Sequence, residues 1–210
     1  MMEYFNKETA EQLTLVAVFK AKPGKRDVLR QALISLIDKT RAEEGSVSYH
    51  LYEDREDADR FIFHEIWANE TLWKKHMQSE HIAHLLAAAG ELFAEEPVIQ
   101  RWQRSVAPNP VIEPDSLVLF AYNRSLPGVE KKWQKILEDL IAPTLAEKGA
   151  LHYELHISKE DPLDFMFHET WKTVGTWNDH MVAPHLTALL EIINDYTVNG
   201  ITVIKTRPIA

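Results

Sequence analysis

The heptapeptide Phe61-Ile62-Phe63-His64-Glu65-Ile66-Trp67 occurs a second time, 104 positions later, as Phe165-Met166-Phe167-His168-Glu169-Thr170-Trp171. The residues downstream of each copy repeat at the same offset: Trp73, His76, Met77 and His81 correspond to Trp177, His180, Met181 and His185. Rare residue types that share one constant offset indicate an internal duplication, and a period of this length suits a whole small domain rather than a solenoid unit.

The duplication predicts the domain organisation. It extends over residues 13–104 and 117–208, which we interpret as two copies of one domain. Residues 1–12 form a short polar lead-in that could be helical, and residues 105–116 form a linker. Three prolines, Pro108, Pro110 and Pro114, favour a stiff, extended chain in that linker.

Composition excludes several classes of function. The chain has 210 residues and a net charge of −9, which argues against nucleic acid or an anionic membrane as a partner. It contains no cysteine, so disulfides and thiol chemistry are not available. No apolar run is long enough for a membrane span, and the acidic, polar start does not resemble a signal peptide. A cytoplasmic location is the expectation.

Hydrophobic patterns predict the same elements in each copy. In the first copy, strands are expected at 13–20, 46–53, 61–67 and 97–104, and helices at 25–43, 69–77 and 80–93. The charged run 54–60 reads as a solvated hairpin loop. Pro143 falls inside the first helix of the second copy and predicts a kink or a restart there. The resulting order, β-α-β-β-α-β, is that of a split βαβ or ferredoxin-like unit.

The third strand predicts how the two copies pack. Phe63, Glu65 and Trp67 point to one face of the strand, whereas Ile62, His64 and Ile66 point to the other. Because both faces carry large apolar groups, both are expected to be buried. We therefore predict an α+β fold in which two tandem ferredoxin-like domains pack sheet to sheet, as a fused version of a homodimer.

The order of these elements resembles the dimeric α+β barrel superfamily. The run His-Glu-x-Trp, followed by Trp-x-x-His-Met and a further His, is similar to that of the antibiotic biosynthesis monooxygenase family, which includes the quinol monooxygenases. The resemblance implies catalysis without a metal or an organic cofactor. In such catalysis a quinol or polycyclic phenol binds between sheet and helices, is deprotonated, and passes an electron to molecular oxygen. A further homo-oligomer of the fused chain is left open.

The resemblance and the chemistry together select candidate site residues. Histidine is the side chain whose ordinary pKa suits a base near pH 7, and His76 and His180 each lie one turn beyond a Trp. The catalytic candidates are His76 and His180 first, then Glu65, Glu169, His64 and His168. The substrate-contact candidates are Phe63, Trp67, Trp73, His81, Asn123, Phe167, Trp171, Trp177 and His185.

Each candidate also has a purely structural interpretation. Trp67 and Trp171 could be core anchors, and His64 and His168 could be hydrogen-bonded core histidines. His81 and His185 could serve in the first turn of a helix. Burying Glu65 or Glu169 requires either a partner or a raised pKa, and the raised pKa would suit an acid or a base.

Metal and haem chemistry are not expected. If His76 and His81 shared one helix, their side chains would lie about 140° apart and could not chelate one ion. Ala188 replaces His84 in the second copy. Relatives that degrade haem use an Asn on the first strand, a position that Asn123 matches and Phe19 does not. His180 and Leu190 stand where those relatives have Trp and His.

Three functions remain open. The leading hypothesis is a cofactor-independent oxygenase. The second is an isomerase or cyclase of a small oxygenated metabolite, and the third is a small-molecule-binding barrel without turnover. The copies differ at four polar positions, so one site could have lost activity; these are Ser48 against His152, His50 against Glu154, Tyr52 against His156, and Phe19 against Asn123.

Overall fold

The computed structural model describes residues 4–209. In this part of the chain the strands are β1 Leu13–Lys20, β2 Ser46–Asp54, β3 Arg60–Trp67, β4 Val98–Arg104, β5 Leu117–Ser125, β6 Ala150–Ser158, β7 Asp164–Trp171 and β8 Thr197–Pro208. The helices are α1 Lys7–Glu11, α2 Arg26–Ile34, α3 Ile37–Arg41, α4 Glu70–His76, α5 Glu80–Ala87, α6 Ala89–Leu92, α7 Glu130–Leu145, α8 Val174–His180 and α9 Pro184–Ile192. A short 3₁₀ turn, Ile193–Asp195, follows α9.

The strands form one closed antiparallel barrel in the order β1-β3-β2-β8-β5-β7-β6-β4. Each half contributes four consecutive strands, and the halves join edge to edge at two seams. At one seam β4 pairs with β6, with Trp102 opposite Ser158. At the other β2 pairs with β8, with Tyr52 opposite Pro208. The predicted fused α+β barrel is confirmed.

Successive side chains along a strand point alternately out of the barrel and into it, so they contribute to two different cores. Outside the barrel, each sheet packs against its own helices, around Phe63 and Leu33 in the first half and around Phe167 and Leu137 in the second. Inside the barrel, residues of both halves share one lumen core that includes Val16, Tyr52, Ile62, Trp102, Val118, Phe120 and Met166. The first and third strands of each half, β1, β3, β5 and β7, therefore bury both faces, as their apolar patterns predict, whereas β4 and β8 stay partly exposed.

The helices differ from prediction in three places. The expected helix 25–43 is split into α2 and α3, because Leu36 N bonds Leu33 O in a tight three-residue turn. The expected helix 80–93 is likewise split into α5 and α6. The restart predicted at Pro143 is wrong, since α7 continues through it to Leu145. The proline lies in the last turn of α7, where few backbone bonds depend on it.

The lead-in before the first half and the linker between the halves contain little helix or strand. No helix or strand is assigned between Arg104 and Leu117 in the described chain. Of the lead-in, α1 covers Lys7–Glu11, while residues 1–3 lie outside the described residues. Among residues 4–209, no helix is both long enough and apolar enough to cross a membrane.

Candidate active site

Each half carries the same arrangement between the outer face of its sheet and its helices. Side chains alternate between the two faces of β7. Phe167, Glu169 and Trp171 face the helices, and His168 faces the lumen. β3 does the same in the first half. Helix α8 ends at His180 and α4 ends at His76, so the two first-choice histidines lie at the ends of short helices above the sheet.

The first element of the site is a carboxyl held by an indole. Trp171 Nε1 donates a hydrogen bond to Glu169 Oε2 at 2.8 Å, and Trp67 donates to Glu65 Oε2 at the same distance. Within residues 4–209, each of the two carboxyls has this one hydrogen bond. Burial raises the pKa of both glutamates to about 7, although the indole bond opposes the shift. Each carboxyl therefore combines the two alternatives: it has an uncharged partner, the indole, and burial raises its pKa.

The second element is a histidine held by another carboxylate. His180 Nδ1 lies 2.6 Å from Glu147 Oε1, and His76 Nδ1 lies 2.8 Å from Glu43 Oε2. Burial lowers the pKa of His180, with Glu147 opposing it, and burial lowers the pKa of His76 to about 4. Both imidazoles are thus neutral at pH 7. Their Nδ1–H groups donate to the carboxylates, which assigns the lone pair to Nε2.

Aromatic rings complete the site. The ring of Trp171 lies 4.7 Å from that of His180, and Trp67 lies 4.8 Å from His76, both measured between centroids. Tyr153 stacks on Phe167 at 4.3 Å. Trp67 and Trp171 are fully buried and do not line the cavities, and each holds a glutamate that does.

The two halves differ most in the space that they enclose. The second half holds a cavity of about 290 Å³, lined by Asn123, Phe167, Glu169, Trp177 and His180 together with apolar residues of α7, α9 and β8. The matching cavity in the first half, lined by Phe63, Glu65, Trp73 and His76, measures about 60 Å³. We call these the second-half cavity and the first-half cavity.

One pair of substitutions lies in the walls of the two cavities: Asn123 lines the second-half cavity and Phe19 lines the first-half cavity. Asn123 Oδ1 accepts a hydrogen bond of 2.6 Å from Trp133 Nε1. In the first half Phe19 takes the place of Asn123 and packs edge-on against Phe63 at 6.0 Å and Phe93 at 5.5 Å. The Phe19 ring therefore occupies space that the smaller amide leaves open. Asn123 Nδ2 is buried and has no hydrogen-bond partner among the described residues.

Other predicted residues lie outside the cavities. His81 Nε2 lies 3.2 Å from Glu43 Oε1, and His185 Nε2 lies 3.0 Å from Glu147 Oε1, so these histidines support the carboxylates. His64 and His168 face the lumen and stack on each other at 4.0 Å. The suggestion that they are hydrogen-bonded core histidines is wrong, because none of their ring nitrogens has a partner within residues 4–209.

The helical argument against a metal is also wrong. α4 ends at His76 and α5 begins at Glu80, so His76 and His81 do not share one helix. Potential ligand atoms of Glu43, His76 and His81 lie within 4.8 Å of one another, as do those of Glu147, His180 and His185. In both groups one carboxylate already lies 2.6–3.2 Å from the nitrogens of two imidazoles. That neither group binds a metal stays a prediction.

Sequence reasoning missed Glu43 and Glu147, the partners of the two histidines. A signal was available, because both precede a glycine by two residues and are separated by the same 104 positions as the other site residues. It also missed Trp133, whose position is occupied by Leu29 in the first half. No repeated pattern points to that residue.

The closed barrel and the acid–base groups beneath its helices define a fused dimeric α+β barrel with one potential site per half. The sequence profile of the antibiotic biosynthesis monooxygenase family matches residues 12–88 and again residues 116–191. The chain belongs to this family, with two copies of its domain in tandem.

Curated relatives match one domain at a time. "Putative monooxygenase YcnE" of Bacillus subtilis is 33% identical over 82 residues, which cover 39% of this chain and 86% of that protein. "Putative monooxygenase Rv0793" of Mycobacterium tuberculosis is 34% identical over 80 residues, covering 38% of this chain and 78% of the relative. The family and these names support a monooxygenase-like function.

Solved structures share the whole fused architecture. A monooxygenase-like protein of Fusobacterium nucleatum superposes with a TM-score of 0.86 at 15% identity, covering 95% of this chain and 93% of its own. An anthrone oxidase-like protein superposes with a TM-score of 0.73 at 12% identity, covering 100% and 94%. At such identities the likeness concerns the fold alone.

Proposed function

We propose that the chain is a cofactor-independent monooxygenase whose working site is the second-half cavity, and that its substrate is a phenol or hydroquinone of one or two rings. The observation that carries the proposal is the contrast between the two cavities, about 290 Å³ against about 60 Å³. Both halves keep the glutamate and histidine, but only the second keeps room for a substrate beside them.

Cavity size supports the choice of substrate class. A closed apolar cavity of roughly 150 Å³ is enough to bind benzene. The second-half cavity is about twice that size and therefore suits one or two fused rings. A three-ring substrate would require the helices to move apart. The apolar walls, including Phe167, Trp177 and Leu189, suit the faces of a flat ring.

The polar groups of the cavity support a role for Glu169 as the base. Its second carboxyl oxygen is not held by Trp171, and a pKa of about 7 suits proton transfer near neutral pH. His180 is the weaker base because burial lowers its pKa, so we assign it a hydrogen bond to the second substrate oxygen. Asn123 Nδ2 supplies a donor for the negative charge of the phenolate.

The reaction then needs only the substrate and oxygen. Deprotonation by Glu169 leaves an electron-rich hydroquinone anion, which reduces molecular oxygen. One oxygen atom enters the ring and the other leaves as water, and the substrate supplies all the electrons. For a simple hydroquinone the products are a hydroxyquinone and one molecule of water, so atoms and electrons balance.

The test compares matched variants of the two halves. Oxygen uptake is measured with hydroquinones of one, two and three rings, using the full chain and the variants Glu169→Gln and Glu65→Gln. We expect Glu169→Gln to lose about 10²-fold or more in turnover, the usual scale for a general base, and Glu65→Gln to retain it. Equal losses in both variants, or a preference for three rings, would contradict the proposal.

The histidines give a second matched pair. We expect His180→Ala to lower turnover and His76→Ala to act mainly on stability, by about 0.5–3 kcal/mol. Single-turnover assays beside melting curves separate the two effects. Conversion of a substrate without oxygen uptake, still dependent on Glu169 and His180, would instead favour the isomerase or cyclase alternative.

A further inference from the structure

The barrel lumen contains a second cluster of polar side chains, separate from both cavities. His152, Glu154 and His156 on β6 and His168 on β7 are buried together with His64 of β3 and Arg104 of β4. We propose that His152, Glu154 and His168 form a binding site for one divalent transition-metal ion, with Zn²⁺ as the reference ion. We call these three residues the lumen triad.

The geometry of the lumen triad fits a metal ion. Potential ligand atoms of His152, Glu154 and His168 all lie within 4.8 Å of one another. His152 Nε2 and Glu154 Oε2 are 3.2 Å apart. Two ligands bound to zinc at about 2.0–2.1 Å in tetrahedral geometry are separated by roughly 3.3 Å, so this pair already has the required spacing. Small rotations would bring His168 into place.

Unpartnered nitrogens provide an independent observation. Within the described residues, neither ring nitrogen of His168 or His64 has a hydrogen-bond partner, and both side chains are fully buried. A buried polar group without a partner destabilises the folded state. His156 Nε2 is also unpartnered, while its Nδ1 lies 3.2 Å from the backbone oxygen of Glu154. A metal ion would satisfy such lone pairs directly.

The surroundings indicate which class of ion suits the triad. Two imidazoles and one carboxylate suit Zn²⁺, Ni²⁺ or Cu²⁺ better than Mg²⁺ or Ca²⁺, which prefer oxygen ligands. Arg104 Nε bonds Glu154 Oε1 at 2.5 Å and so orients the carboxylate while leaving Oε2 toward His152. Such supporting bonds are common around metal ligands. His156 Nε2 lies 3.6 Å from Glu154 Oε2, but it does not belong to the group of ligand atoms that lie within 4.8 Å of one another.

The lumen triad belongs to one half only. The first-half residues at the positions of His152, Glu154 and His156 are Ser48, His50 and Tyr52, so the duplication does not repeat this donor set. The triad also lies on the opposite face of β7 from Glu169. The proposed role is therefore structural: the ion would tie β6 to β7 inside the barrel, and the proposed oxygen chemistry does not involve it.

The first test measures metal stoichiometry in the full-length chain. His81→Ala with His185→Ala forms the background, because these changes dismantle the two other groups of three potential ligands. After chelator treatment and dialysis against Zn²⁺, we expect one equivalent of zinc in this background. Adding His152→Ser, which copies Ser48 of the first half, should reduce bound zinc to none and abolish the rise in melting temperature caused by zinc. Unchanged binding in that variant, or no binding in the background, would overturn the proposal.

The second test does not depend on any variant. Crystals of the unmodified chain soaked in Zn²⁺ should show an anomalous peak between His152, Glu154 and His168. Co²⁺ substitution should give the intense visible absorption of a tetrahedral site. Anomalous peaks confined to Glu43 with His81, to Glu147 with His185, or to the protein surface would place the ion elsewhere and refute the lumen site.

Discussion

Glu65 and Glu169 are the same residue in almost the same setting, each held by a tryptophan two positions later in its strand. What separates them is the space in front of the carboxyl. At the residue scale, the proposed function therefore rests on small neighbours such as Asn123 rather than on the catalytic groups, which both halves retain.

The activity of the second half should depend on pH through Glu169. Its carboxyl must be ionised to accept a proton, and its pKa is raised to about 7. We expect kcat/KM to be low at pH 5, to rise through about pH 7 and to level off above it. A rate profile from pH 5 to 9 checks this, and a profile unchanged in Glu169→Gln would assign the ionisation to another group.

Glu65 should make the fold less stable as pH rises. Its folded pKa of about 7 lies above its ordinary value of 4.5, so its contribution is fully present below pH 4.5 and is lost as pH rises through about 7. The full loss is on the order of 3 kcal/mol. Urea unfolding at pH 5 and pH 8 should show a smaller decline in Glu65→Gln, which keeps an acceptor for Trp67 but cannot ionise. An equal decline in both proteins would mean that ionisation of Glu65 does not destabilise the folded state.

At the scale of elements, the sequence predicts strands and their faces well because a period of two and rare repeated residues both mark them. Helix continuity is harder to predict. Pro143 predicts a break in the helix, yet its place in the last turn of α7 makes it tolerable. Helix α2, in contrast, ends without any proline. The cavities were beyond sequence reasoning, because the volume beside Glu169 depends on how Asn123 packs against Trp133 across two elements.

Two glycines offer a test of how helices are seated on the sheet. Gly149 before β6 and Gly128 before α7 both have positive φ, +88° and +86°. A Cβ at Gly149 would lie 2.6 Å from Thr176 Cγ2, whereas a Cβ at Gly128 would meet nothing within 4 Å. Gly128→Ala should cost about 1–2 kcal/mol from backbone strain alone. Gly149→Ala should cost clearly more, because α8 must also shift, and chemical unfolding measures the difference. Equal losses of stability in the two variants would show that α8 can shift without a measurable cost.

At the scale of the whole molecule, the barrel was predictable because four strands with two apolar faces need a second sheet. The seams were not, since nothing in either copy alone specifies that β4 pairs with β6 or β8 with β2. The cluster of polar side chains in the lumen could not be predicted from the sequence for the same reason. Arg104 and Glu154 come from different halves, and no constant offset links them.

Separating the halves should expose this dependence. Residues 1–108 expressed alone would leave a large apolar sheet face uncovered and should self-associate or precipitate. Light scattering and sedimentation velocity measure the outcome, with the full chain as the control. A monodisperse, monomeric fragment would contradict the fused-barrel account of its stability.

The buried ion pair between Arg104 and Glu154 has a consequence for which halves pack together. If two copies of the second half met each other, each Glu154 would be enclosed without that guanidinium, because Pro208 stands at the position equivalent to Arg104. An enclosed charge that lacks its partner typically costs about 3–5 kcal/mol. The second half is thus complementary to the first half and mismatched to a second copy of itself. The pair therefore favours packing of the two different halves within one chain over a symmetric dimer of second halves.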